Sequence, residues 1–95
     1  MEAPTATELL AHPLVQEALE NAWLDSLPDD PVNRHEEGGW AFAKVTTGEI
    51  SVRRSVAGTR ALLDLNTPPV VPGSVVVATF HNASQPQRRR MGARA

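Results

Sequence analysis

A continuous apolar run near the C-terminus, Val75-Val76-Val77-Ala78-Thr79-Phe80, most constrains how this chain can fold. Consecutive β-branched and apolar residues favour a strand, and a run without polar alternation is typical of a strand that is buried on both faces. We therefore predict a central strand over residues 75–80 that ends in His81. By the strand period of two, one face would carry Val75, Val77, Thr79 and His81.

An amphipathic pattern in the N-terminal third predicts a helix. Pro13 suits the first helical turn, where its missing N–H costs nothing. The apolar residues that follow have the spacing i, i+1, i+4, i+5 of one helix face, and they are Leu14, Val15, Ala18, Leu19, Ala22 and Trp23. Pro28 and Pro31 are expected to end the helix, and residues 7–11 to form a preceding turn or short helix with His12 at the helix start.

The middle of the chain predicts a β-hairpin. Gly38-Gly39 indicates a turn or a close backbone approach before a strand over residues 40–45. Residues 46–49 form the expected turn, with Gly48 at a positive φ, and the partner strand spans residues 50–56. Its core-facing residues would be Ile50, Val52 and Val56. Residues 60–66 fit either a short strand or a helical turn.

The order of these elements, which is helix, hairpin, loop and central strand, predicts an α+β (mixed α/β) fold with the N-terminal amphipathic helix packed on a small sheet. A chain of 95 residues supports one small domain. We assign that domain to residues 1–81 and expect residues 82–95 to be an irregular basic tail.

Charge is distributed unevenly along the chain. Residues 1–33 hold seven acids and no lysine or arginine, whereas no acid follows Asp64 and the tail carries Arg88, Arg89, Arg90 and Arg94. Four arginines without interleaved aromatic residues are a weak signal for nucleic-acid binding, so a solvated terminus is the favoured interpretation and a nucleic-acid binder acting through Arg88 to Arg90 is the less favoured alternative. No segment is apolar enough for a membrane span or a signal peptide, and we expect a cytoplasmic protein. The absence of cysteine excludes disulfides and thiolate zinc ligands.

Two segments carry a resemblance to a known family. Glu36-Glu37-Gly38-Gly39-Trp40 is similar to the Glu-x-x-Gly start of the first strand in the JAB/JAMM (MPN-type) zinc metallopeptidases, and residues 75–81 resemble their strand that ends in His-x-His-Pro. The helix before the glutamate and the hairpin after it also follow the family order. The resemblance covers roughly residues 12–81 and points to the bacterial branch of small stand-alone domains, so the fold would be an incomplete JAB/MPN-like fold.

The resemblance implies the residues of a zinc site. His81 matches the first zinc ligand and Glu36 the general base, and Glu37 is the alternative base if the alignment shifts by one residue. Family members hydrolyse peptide or isopeptide bonds, often next to ubiquitin-like or sulfur-carrier tails, so a protein or peptide substrate is implied. The family's second histidine and its ligand aspartate have no counterpart after His81-Asn82-Ala83-Ser84. We therefore expect that this chain does not bind zinc tightly and has no peptidase activity.

A frameshift is one hypothesis for the departure from the family pattern. One extra base just after the His81 codon would shift the frame of the tail. When the tail is translated from one nucleotide later, permissible codons for residues 82–95 give Thr-His-Pro-Ser-Arg-Ser-Gly-Gly-Gly-Trp-Glu-Pro-Gly-Pro. With His81, this sequence restores the His-x-His-Pro motif. Only the tryptophan, from Met91-Gly92, is forced by the genetic code. The hypothesis is therefore a truncated or frameshifted zinc metallopeptidase domain.

A different class of function is also open. The chain would serve as a non-catalytic protein-interaction module that binds through an exposed sheet edge beside residues 75–80. Self-association through that edge is the form of binding that this alternative predicts.

Overall fold

The computed structural model describes residues 3–82 and contains two helices and three strands. The elements in chain order are helix α1 (Ala6–Ala11), helix α2 (Pro13–Asp25), and strands β1 (Gly38–Lys44), β2 (Ile50–Arg54) and β3 (Ser74–His81). This architecture confirms the α+β prediction, with both helices on one face of an antiparallel sheet. No helix among the described residues is long and apolar enough to cross a membrane.

Local capping explains where both helices begin. Thr5 and Glu8 form a reciprocal capping box at the start of α1, with the Thr5 N–H donating to Glu8 Oε1 over 2.9 Å. His12 caps α2 by accepting a hydrogen bond from the Leu14 N–H at 3.1 Å, and Pro13 occupies the first turn as predicted. The buried stripe of α2 is narrower than predicted, since Leu14 is exposed and the buried residues are Val15, Ala18, Leu19 and Ala22.

The sheet has the strand order β2-β1-β3 with antiparallel pairs. The prediction that residues 75–80 form the central strand is therefore wrong: β1 lies between the other two, and β3 is an edge strand among the described residues. Val75 and Val76 are 46% and 41% exposed, whereas β1 is buried from Gly38 to Ala43. A β-branched run favours a strand but does not say how many neighbours that strand will have.

Two glycines make β1 suitable for the central position. A Cβ atom on Gly38 would lie 2.2 Å from the Phe80 carbonyl oxygen, and one on Gly39 would lie 2.1 Å from that of Arg53. The close approach predicted at these glycines is thus confirmed, but they belong to the strand and do not form a turn before it. Side chains at either position would push a neighbouring strand away.

The hairpin forms as predicted but ends early. Lys44 accepts hydrogen bonds from the Thr47 and Gly48 N–H groups, and Gly48 has a φ of +77°. β2 stops at Arg54, and Val56, which was expected to face the core, is 90% exposed. Residues 60–66 form neither a strand nor a helix.

A bulge changes the alternation in β3. Ala41 pairs with Ala78 and Phe42 with Val76, so Val77 is the extra residue on the bulged strand. Val77 packs with Ala78 and Phe80 against the core under the helices. Val75, Val77, Thr79 and His81 therefore do not share one face as predicted, because the alternation of side chains shifts at Val77.

The loop between β2 and β3 covers the sheet face opposite the helices. Trp40 is buried on that face, and its indole Nε1 donates to the Leu65 carbonyl oxygen at 3.0 Å. Leu63 lies against Gly38 in the same layer. Residues 55–73 thus take the place of a third layer of regular structure. Both faces of β1 are shielded from water from Gly38 to Ala43.

Candidate functional site

His81 lies at one end of the sheet, on the face opposite the helices. Its Cα partner in β1 is Gly38, the first residue of that strand. The preceding residue, Phe80, belongs to the core under the helices. Because successive strand residues point to opposite faces, His81 projects from the other face, where it is exposed.

Glu36 precedes Gly38 by two residues and lies just before the start of β1. Its N–H donates to the Thr59 carbonyl oxygen, and its carbonyl accepts from the Gly58 N–H. The two-residue period puts Glu36 on the face of Gly38, and directly opposed residues of an antiparallel pair share a face. By this alternation, the two predicted site residues, Glu36 and His81, are expected at one end and on one face of the sheet.

Glu37 lies on the helix face and its carboxylate is buried. Oε1 accepts a hydrogen bond from Arg54 Nη2 at 2.6 Å, and Oε2 lies 2.5 Å from His35 Nε2. Arg54 also pairs with the exposed Asp25 at 3.3 Å, which links β2 to the last turn of α2. A carboxylate held by Arg54 and His35 on the helix face is turned away from His81.

Asn82 is buried and completes this polar cluster. Its N–H donates to the Glu37 carbonyl oxygen, and its side-chain oxygen accepts from the Glu37 N–H, both at 3.0 Å. Its Nδ2 donates to the Ala22 carbonyl oxygen in α2 at 3.1 Å. The sequence prediction assigned Asn82 to the irregular tail; its hydrogen bonds run to Glu37, the residue before β1, and to Ala22 of α2. The remaining tail, residues 83–95, lies outside the described residues.

His35 joins the cluster through both ring nitrogens. Nδ1 lies 2.9 Å from the carbonyl oxygen of Asn33, and Nε2 faces Glu37. A carbonyl oxygen only accepts, so Nδ1 carries a proton, and an imidazolium beside an ionised carboxylate satisfies both contacts. The Asn33 hydrogen bond and the Glu37 carboxylate raise the pKa of His35 above its ordinary value near 6.5, although partial burial opposes this.

Sequence reasoning did not identify His35, Arg54 or Asn82 as residues of a cluster. The close spacing of His35 and Glu37 gave a local indication of their contact. Nothing local connects either of them to Arg54 or Asn82, which lie 17 and 45 residues from Glu37 in the chain. Those contacts follow from strand pairing.

Residues 3–82 do not bring together the ligands of a hydrolytic zinc site. Such a site takes three protein ligands, and the family pattern offers His81 as one ligand and Glu36 as a base. Among residues 3–82, no group of three or more His, Cys, Asp or Glu side chains is arranged to hold a metal ion. Zinc at this end of the sheet would need ligands from outside the described residues.

Comparison of the chain with models of known protein families, with curated proteins and with solved structures finds no match.

Replacing Glu37 by glutamine tests the buried cluster. The change leaves His35 and Arg54 without their shared counter-charge, and breaking a buried ion pair costs about 3 kcal/mol or more. We expect E37Q to lose about 3 kcal/mol in the free energy of unfolding, measured by urea denaturation at neutral pH. The matched control is E36Q on the other face, which should stay within about 0.5 kcal/mol of the parent. Equal losses in the two variants would contradict the assignment of Glu37 to the cluster.

The raised pKa of His35 predicts a pH dependence of stability. A histidine whose pKa is higher in the folded state stabilises the fold fully below its unfolded pKa of about 6.5, and this contribution disappears as the pH rises through the folded pKa. We expect the stability difference between the parent and H35Q to be largest in mildly acidic buffer and to shrink as the pH rises. Urea unfolding curves across this range measure it. Parallel pH profiles for the two proteins would refute the prediction.

Proposed function

We propose that this chain carries the first part of a JAB/MPN-like zinc metallopeptidase domain, of the class that hydrolyses peptide or isopeptide bonds, and that it is not catalytic as its sequence stands. The observation that carries this proposal is the pairing of His81 with Gly38 at one end of the sheet, since strand alternation counted back from Gly38 puts Glu36 on the same face. A cytoplasmic location belongs to the same proposal.

The arrangement of the two glutamates supports Glu36 over Glu37 as the family base. A general base must lie near the metal-bound water, on the side of the sheet that carries the metal ligand. By strand alternation, Glu36 is expected on the sheet face of His81. Glu37 is bonded to Arg54 and His35 on the helix face. The alignment that pairs Glu36 with the family glutamate therefore agrees with the strand alternation.

The proposed loss of catalysis rests on the residues that follow His81. The family motif requires a second histidine two positions later, and residue 83 is alanine. No histidine or aspartate follows. We attribute the difference to a frameshift directly after the His81 codon, which in the other frame permits Thr-His-Pro.

Restoring the second histidine tests the site. In an extended chain, residues 81 and 83 lie on the same face, so A83H should create a two-imidazole chelate with His81. We expect A83H to bind zinc at least about tenfold more tightly than the parent chain, by calorimetric titration at neutral pH.

The double variant H81A/A83H is the matched control and should lose the gain. Zinc binding by A83H that does not depend on His81, or no gain in A83H, would count against the proposed ligand position. The coding DNA gives an independent check, because the frame that starts one nucleotide after the His81 codon should read Thr-His-Pro.

A second candidate function is that of an interaction module that pairs through β3. The two sheet edges differ, since β2 is short and ends in Arg53 and Arg54, whereas β3 has eight residues with no acidic, lysine or arginine side chain. An uncharged edge strand presents unpaired backbone groups to another strand. This contrast between the edges favours association through β3, and a second copy can supply an identical strand.

A charge placed on the edge tests this alternative. A lysine at an edge position opposes strand pairing, so V76K should be monomeric at concentrations where the parent chain associates, as measured by sedimentation velocity. The matched control is V70K, which places the same charge at an exposed loop valine and should associate like the parent. A monomeric parent chain, or equal association of V76K, would refute the module.

A further inference from the structure

An apolar groove lies beyond the C-terminal end of α2. It has a volume of about 590 Å³ and is lined by Trp23, Leu24, Leu27 and the loop of residues 28–31. Leu24 is 59% exposed and Leu27 is 43% exposed, so two leucines offer their side chains to a partner. The chain turns sharply here, because Leu27 has a φ of +55°.

The groove carries two acidic side chains, Asp29 and Asp30, in its lining. The nearby Asp25 is already paired with Arg54, and the Arg60 guanidinium donates to the Pro31 carbonyl oxygen at the groove wall. The last turn of α2 contains no basic residue. The C-terminal end of a helix carries partial negative charge, which adds to the field of the two carboxylates. The groove therefore fits a partner that is basic and partly apolar.

The chain itself supplies such a partner close by. Asn82 is bonded to the Ala22 carbonyl oxygen, one residue before Trp23 at the wall of the groove. The 13 residues that follow carry Arg88, Arg89, Arg90 and Arg94, together with Met91, and no acid. Six extended residues span up to about 20 Å, which matches the whole length of a 13-residue helix. The three consecutive arginines can thus reach the groove from their attachment point.

We propose that the C-terminal segment of this chain, residues 83–95, docks on the acidic groove at the end of α2. In this proposal the arginines at positions 88–90 pair with Asp29 and Asp30 of the groove lining, and Met91 contacts Leu24 and Leu27. A short tether gives the segment an effective concentration of the order of millimolar, so contacts that are weak between separate molecules are sufficient here. The proposal concerns the sequence as it stands and does not depend on the proposed metallopeptidase ancestry.

A spin label in the tail tests the docking directly. The chain contains no cysteine, so G92C gives one labelling position for a nitroxide. Paramagnetic broadening of backbone amides then reports which surface the tail visits. We expect strong broadening at Leu24, Leu27 and Asp29, and none at Val45 and Thr46 near the hairpin turn.

Two perturbations should remove this pattern. The variant R88Q/R89Q/R90Q should abolish the broadening at the groove, and so should salt of roughly 0.5 M, because it screens exposed charges. The matched control R53Q removes an arginine from β2 and leaves the sequence of the tail unchanged. It should leave the broadening intact. Broadening that is spread evenly, that centres on another surface or that survives the triple substitution would overturn the proposal.

A mixture of labelled chains and unlabelled isotope-enriched chains separates docking within one chain from docking between two. The proposal requires that the groove amides of the unlabelled chains stay sharp. Broadening of those amides would show that the tail binds a second copy and would overturn docking within one chain.

Discussion

The buried carboxylate of Glu37 is the interaction on which the rest of this structure depends. Removing a charge from water is costly unless the charge is paired and hydrogen-bonded. Glu37 meets that condition only because His35 and Arg54 reach it from a loop and from β2. Asn82 bonds both backbone groups of the same residue from the end of β3. One residue thus holds three separate segments in register at the start of β1.

The placement of the candidate site follows from this cluster. Because the Glu37 side chain is held on the helix face, the alternation of the chain turns Glu36 to the opposite face. The pairing of Asn82 with Glu37 sets the register that places His81 across from Gly38. A structural ion-pair cluster and a candidate catalytic pair therefore use neighbouring residues on opposite faces of one sheet end.

Features that depend on local chemistry could be predicted from the sequence. Features that depend on which strands pair with each other could not. Pro13 and the apolar spacing after it predicted α2, and Gly48 predicted the hairpin turn. The valine run predicted a strand, but its position at the sheet edge follows from the small residues of β1, since Gly38 and Gly39 allow two strands to approach closely. The contacts of Arg54 and Asn82 with Glu37 likewise required the strand pairing.

Residue 82 allows the hydrogen-bonding needs of the fold to be compared with what each of the two reading frames would supply. Asn82 serves as acceptor for the Glu37 N–H and as donor to the Ala22 carbonyl oxygen. The threonine that a permissible codon gives in the proposed shifted frame also has one donor and two acceptor lone pairs, so either residue has the hydrogen-bonding groups that this position uses. Position 83 is different, because a His-x-His pair needs an imidazole and alanine has none. Under the proposed frameshift, the two frames would therefore be equivalent in hydrogen bonding at residue 82 and would differ at residue 83, where the second metal ligand is required.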